Sequence, residues 1–203
     1  MVIVIDPQIA GISGDMFLSA LIDLGANKSK IINGVKRIKN FDVDVNNIEF
    51  KKINKNGIMA TTLHLDINNT CHQRKGTEIL QNIISTLRQL EVSHKSINFA
   101  NDVINTIMQA ESKIHGIPLD SVYLHELSGI DTIIDVIGVS IALDDLNFFD
   151  DDVITAPVAI GNGIMEFSHG IMSNPTSAIL EIFKNSQISI FGGLVKSELT
   201  TPT

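Results

Sequence analysis

The sequence has 203 residues, 44% of them hydrophobic, which is enough for one sizeable domain with a proper core. A formal net charge of −8, with no Lys/Arg block longer than the pair Lys51 and Lys52, excludes the electrostatic footprint of a nucleic-acid or anionic-membrane binder. The longest apolar stretch, 130–143, is interrupted by Asp131 and Asp135 and is too short to span a bilayer. The sequence starts without the basic and apolar regions of a signal peptide, and the single Cys71 allows no internal disulfide, so a reducing cytoplasm is expected.

Taken in chain order, the apolar run VIVI at 2–5, closed by Asp6 and Pro7, predicts a buried strand. Met16, Phe17, Ala20, Leu21 and Leu24 recur at helical spacing, with Gly25 as a stop, and Ile31, Ile32, Val35 and Ile38 suggest a second, weaker helix. Asn56-Gly57 lies between two runs that can alternate and is the strongest hairpin signal in the chain. A polar loop, NNTCHQRKG, follows it.

Two amphipathic helices come next, one carrying Ile79, Ile83, Leu87 and Leu90 and one carrying Ala100, Ile104, Ile107 and Met108. The second should stop around His115-Gly116. A further helix is expected from about Ile130 to Asn147, then a hairpin turning at Gly161-Asn162-Gly163. Asn174-Pro175 reads as a cap and first-turn proline for a helix to Phe183, and QISIF as the last strand. The order predicts one α/β domain over 1–203, a mixed sheet covered by helices with inserted β-hairpins.

Two stretches can carry chemistry. In GISGDM, 11–16, a strand-to-helix turn meets a helix N-terminus whose free amides and positive dipole end attract anions. Spacing alone favours a structural cap, with Ser13 at the helix start, Gly11 and Gly14 in the turn and Asp15 complementing the dipole. It lacks the Lys-Ser/Thr of a phosphate-binding loop and the second glycine of a nucleophile elbow.

In HELSGIDTIIDVIG, 125–138, the i, i+4 spacing sets Asp131 and Asp135 on one helix face, continued by Gly138 and Ala142. Ser128 and Asp131 resemble a capping box, so Asp131 has a structural explanation. Asp135 sits among Ile133, Ile134, Val136 and Ile137 and should be buried with a metal, a cation or several donors as partner. His115 suits a helix C-terminus, and His64, His72 and His169 carry no claim singly.

Together these stretches resemble the LarC family of nickel-insertion proteins. The resemblance runs through DPQIAGISGDMFLSALIDLGA at 6–26, KNGIMATTLHLD at 55–66, AESKIHGIP at 110–118, HELSGIDTIIDVIGVSIALDDL at 125–146, APVAIGNG at 156–163, the His-Gly at 169–170 and ELTTPT at the end. It implies nickel insertion into pyridinium-3,5-bisthiocarboxylic acid mononucleotide, with nickel as substrate. It also implies a CTP- and manganese- or magnesium-dependent step in a C-terminal part expected to lie outside this sequence.

On that reading Gly11, Ser13, Gly14 and Asp15 hold the nucleotide-like substrate. His125 and His169 suit contact with nickel, while Asp6, Asp15, Asp131 and Asp135 suit a harder cation or the support of metal ligands. Partners would be the small-molecule nucleotide and a C-terminal domain or subunit. The alternative is a non-catalytic metal- or substrate-binding module serving that subunit, and a metallohydrolase ranks last. GISGDM and HELSGID are expected to converge on one pocket.

Overall fold

The computed structural model describes residues 1–38, 43–69, 74–124, 130–167, 170–184 and 186–203. The chain runs β1 (Val2–Ile5), α1 (Gly14–Asp23), α2 (Lys28–Val35), β2 (Val43–Lys55), β3 (Ile58–Asn69), α3 (Gly76–Gln89), α4 (His94–His115) and α5 (Ile130–Asp145). It continues through β4 (Asp152–Thr155), β5 (Val158–Ala159), β6 (Ile164–Phe167), β7 (Gly170–Ser173), α6 (Ser177–Phe183) and β8 (Ile190–Phe191). This is the expected α/β class with parallel and antiparallel pairings and inserted hairpins, its strands joined as four two-stranded sheets among the described residues.

The organising element is α5. Thirteen of its sixteen residues are buried, so it has no solvent face and must be surrounded. Helices α1, α2, α3 and α4 pack around it. Gly138 lets α1 approach closely, since a side chain there would come within 2.6 Å of Leu18, itself fully buried. The polar Ser140 is accommodated because its hydroxyl donates to Val136 O at 2.6 Å while its own carbonyl accepts from the Ser96 hydroxyl of α4 at 2.9 Å. Leu18, Ile79, Ile83, Ile104, Ile133 and Ile137 are among the side chains of the resulting large apolar cluster, and Val158, Ile160 and Ile179 form a smaller second one.

Local signals set the element ends. Asn27 caps α2 by accepting from Ser29 and Lys30 amides at 3.0 and 3.2 Å. Helix α4 begins one residue after Ser93, which accepts from the Ser96 amide, and ends at the left-handed Gly116. The His115 imidazole at that end lies 3.1 Å from Glu111 of the previous turn. Asn56 and Gly57 both take positive φ, 51° and 88°, as a two-residue turn matching strand twist requires, and β2 pairs antiparallel with β3.

Three expectations need correcting. Strand β1 is not buried: among the described residues it pairs in parallel with β4 alone, and Val2 and Val4 are 52% and 69% exposed. Parallel strands normally lie under helices on both faces, and neither side of this pair is fully covered. The turn at 161–163 does not join a hairpin, because Gly161 bridges to Glu198 and the following strand β6 pairs with β7. The C-terminal segment thus takes the edge that the hairpin partner would have used. Finally, Thr176 and not Asn174 holds the N-cap position of α6, without a side-chain cap bond, and the Asn174 side chain instead donates to Ser197 O at 2.8 Å.

Because Gly138 is crowded by Leu18, Gly138→Ala should lower stability by about 1–3 kcal/mol through overpacking. Leu18→Ala should cost about 2–5 kcal/mol by opening a cavity. Urea unfolding at matched m-values checks both; a Gly138→Ala midpoint equal to wild type would mean that α1 can move away from α5 freely.

Candidate functional site

The N-terminus of α1 meets α5 where Gly14 presses on Asp135. A β-carbon on Gly14 would stand 2.5 Å from both Cβ and Oδ2 of Asp135, so only glycine permits this approach. Ser13 holds the extended backbone of an N-cap, φ −140° and ψ 163°, yet makes no side-chain cap bond. Its hydroxyl donates to the Asp15 carboxylate instead. The first-turn amides of α1 are therefore not consumed by a serine cap.

The loop before α1 is fixed by the end of the chain. Thr200 is 2% exposed, and its hydroxyl donates to Ala159 O at 2.9 Å while accepting from the Ile12 amide at 3.2 Å. The Thr201 amide donates to Ile12 O at 3.1 Å. Gly11 is required at this crossing, because it has φ +71° and a β-carbon would lie 1.9 Å from Leu199 O. The ELTTPT segment, quoted above only for its resemblance, thus becomes a wall of the site.

Two adjoining cavities result. One, of about 330 Å³, is acidic and is lined by Ser13, Asp15, Asp131, Asp135, Thr201 and Thr203, with Leu63 and Leu65 of β3 at its side. The other, of about 540 Å³, lies between α1, α4, α5 and α6 and is mainly apolar, with Phe17, Phe99, Val103, Val139, Ile182 and Phe183 among its walls. Ser13, Asp135, Thr201 and Thr203 line both.

Asp135 is 7% exposed, and its Oδ1 is buried without a hydrogen-bond partner among the described residues. Burial pushes its carboxyl up to about 8, with smaller contributions from the negative charges of Asp15 and Asp131. Those contributions place the two segments' acids in one field. The convergence of the 11–16 stretch with the start of α5 is therefore met for Ser13, Gly14, Asp15, Asp131 and Asp135. Asp15 and Asp131 are exposed, and Asp135 is the acid held inside.

Other predicted positions fall elsewhere. Asp6 is exposed at the end of β1, accepts from the Gln8 amide and side chain at 3.2 and 2.9 Å, and lines neither cavity. His125, Ser128, His169, Cys71 and His72 lie outside the described residues. His64 is exposed on β3 opposite Glu49, away from both cavities, as expected. Among the described residues no three His, Cys, Asp or Glu side chains stand close enough to hold a metal ion by themselves. Sequence reasoning missed Thr201, Thr203, Phe17 and Phe99, whose shared surface arises only when four helices and the chain end assemble. No helix among the described residues is long and apolar enough to cross a membrane.

Comparison with known proteins identifies the family. Residues 3–203 match the family model described as nickel insertion protein. The chain is 38% identical over 194 residues to the pyridinium-3,5-bisthiocarboxylic acid mononucleotide nickel insertion protein of Staphylococcus saprophyticus, covering 96% of this chain and 47% of that one. A similarly named protein of Clostridium kluyveri is 36% identical over 95% of this chain and 49% of its own. A Methanosphaera stadtmanae protein, also named for nickel insertion, is 39% identical over all of this chain and 50% of its own. The chain thus spans about half the length of the curated relatives it matches. No solved structure matches it.

The raised carboxyl of Asp135 has a sign that can be measured. Between about pH 4 and pH 8 the folded state keeps a proton that the unfolded state releases, so stability falls as pH rises through that interval. Asp135→Asn should remove this loss: the variant should melt higher than wild type at pH 8, by a margin on the order of a few kcal/mol, and the margin should vanish near pH 4. Thermal unfolding across that range tests it, and a variant less stable than wild type at pH 8 would mean that Asp135 is ionised and paired. Gly14→Ala should displace Asp135 and destabilise by about 1–3 kcal/mol, read by the same method.

Proposed function

Since the chain belongs to the nickel insertion protein family, we propose that it carries the metal- and substrate-holding part of nickel insertion into pyridinium-3,5-bisthiocarboxylic acid mononucleotide. The observation that carries this reading is Asp135, a buried carboxyl with an unpartnered oxygen on the wall shared by an acidic and an apolar cavity. Burying such a group without a partner costs several kcal/mol, roughly, which a bound cation offsets.

The protein need not supply a complete coordination shell. A bisthiocarboxylic acid brings its own sulfur donors, which suit nickel better than carboxylate oxygen does. Asp15, Asp131 and Asp135, with His125 and His169 as imidazole donors, then have only to hold the ion while the substrate completes its ligand set. Asp6 takes a supporting place outside the two cavities. The substrate's phosphate is received by the amides at the start of α1, in the loop of Gly11, Ser13 and Gly14. Asp15 would repel that phosphate on its own, so an intervening cation lets both sit at one helix end.

The CTP- and manganese- or magnesium-dependent step, and with it the lyase activity, belongs in this reading to the remaining half of the relatives' length, a C-terminal domain or subunit. The setting is cytoplasmic, consistent with one cysteine in 203 residues. A second reading, a module that binds nickel or substrate and passes it on without catalysis, is favoured by the half-length match.

The chain should bind nickel in calorimetric titration, and the Asp15→Asn/Asp131→Asn double variant should bind it at least tenfold more weakly. Unchanged affinity in that variant would overturn the assignment. Incubated alone with substrate, nickel, manganese and CTP, the chain should yield no nickel-containing product by mass spectrometry. Product formed without an added C-terminal partner would refute the division of labour and the delivery-module reading together.

A further inference from the structure

The parallel pair β1–β4 lies outside both cavities and carries an apolar face of its own. Partners in register share a face, so Val2, Val4, Asp152 and Ile154 stand on one side and Ile3, Ile5, Val153 and Thr155 on the other. Ile3, Ile5 and Thr155 are half-buried, which marks the second side as the one this chain packs against. The first side is open: Val4 and Ile154, directly opposite each other, are 69% and 58% exposed, and Val2 beside them is exposed as well.

Such exposure is ordinary in an antiparallel hairpin and anomalous in a parallel pair. Hairpin β6–β7 also turns isoleucines to water, Ile164 and Ile171 at 77% and 78%, but antiparallel strands commonly keep one wet face. Parallel strands are found with helices over both faces, so the open side of β1–β4 lacks a layer. Covering it would remove three branched apolar side chains from water at once.

The rim of the open face selects the partner. Asp151 pairs with the amino group of Met1 and Asp150 with Lys95, whereas Asp6 and Asp152 make no ion pair among the described residues. No Lys or Arg occurs in 1–27 or 114–183, the stretches that hold the two strands. A second copy docked through this face would bring acids to acids, on chains that each carry a net charge of −8. A partner whose apolar side chains are flanked by Lys or Arg meets both features. The relatives have the length for one: the stretch matching this chain is 50% of the Methanosphaera stadtmanae protein and 47% of the Staphylococcus saprophyticus one, so each has about as much chain again.

We propose that the open face of β1 and β4 is the docking surface for that C-terminal region, which lays a helix across Val2, Val4 and Ile154 and sets Lys or Arg side chains against Asp152 and Asp6. The proposal rests on the division of labour above for the existence of the partner and adds where it binds. The parallel pair then becomes a layered α/β unit completed by the second half.

The test compares this chain alone with this chain extended after Thr203 by the C-terminal region of the Methanosphaera stadtmanae relative, both without nickel, substrate or CTP. Amide hydrogens of 2–5 and 152–155 should exchange roughly tenfold or more slowly in the extended protein, and those of 164–167 and 170–173 alike in both. In the extended protein Val4→Asp and Asp152→Lys should each return the strands to the rates of the chain alone, and Ile171→Asp should not. Val4 and Asp152 are exposed, so neither substitution should move the melting temperature of the chain alone. The full-length relative, with its native junction, should likewise exchange more slowly in the segments aligned with 2–5 and 152–155 than in those aligned with the hairpin strands.

Fast exchange of these strands in both the extended protein and the full-length relative overturns the proposal, as does protection of the hairpin in their place. A dimer of the chain alone that Val4→Asp disperses in sedimentation would give the face to a second copy and overturn it too. Fast strands in a chain that still binds nickel would leave the metal reading standing, and slow strands in a chain that does not would leave the docking surface standing without it.

Discussion

The burial of α5 on every side is the constraint from which the rest of the molecule follows. A helix whose residues from Thr132 to Leu143 are all buried needs a shell, and α1, α2, α3 and α4 supply it. Asp135 occupies one of those positions and is 7% exposed. The energetic penalty is set against the large gain of burying Ile133, Ile134, Ile137 and their neighbours, each worth roughly 1.5–3 kcal/mol.

The glycines around it act as spacers between crowded elements. Gly14 admits Asp135, Gly138 admits Leu18, and Gly11 admits the carbonyl of Leu199, so loop, helix and chain end close on one another within a few ångström. This closure brings residues nearly two hundred positions apart, Ile12 and Thr200, into direct hydrogen bonding. The site is consequently built on helix ends and a pinned segment, a rigid basis for positioning a ligand.

Its electrostatics are one-sided. Burial raises the Asp135 carboxyl, and the negative charges of Asp15 and Asp131 add to that effect. The acidic chamber and the mainly apolar one share the wall formed by Ser13, Asp135, Thr201 and Thr203.

Much of this was legible from the residues. The Asn56-Gly57 turn, the stop of α4 at Gly116 and the burial of Asp135 are local or periodic properties, decided by φ preference and apolar neighbours within a few positions. The class of fold followed from the same short-range patterns, and the family resemblance from the quoted stretches themselves.

Tertiary structure decided the remainder. The run VIVI reads as a buried strand because strand hydropathy carries no information about which partner strands are present, and among the described residues only β4 pairs with it. The edge beside Gly161 went to Glu198 and not to a hairpin partner because pairing is settled by what arrives in space. The apolar chamber and its threonine wall have no sequence periodicity, since they draw single faces from α1, α4, α5, α6 and the chain end. Such a surface exists only after long-range packing has joined elements that are individually unremarkable, and that is the physical reason sequence alone could mark Asp135 but not the cavity it faces.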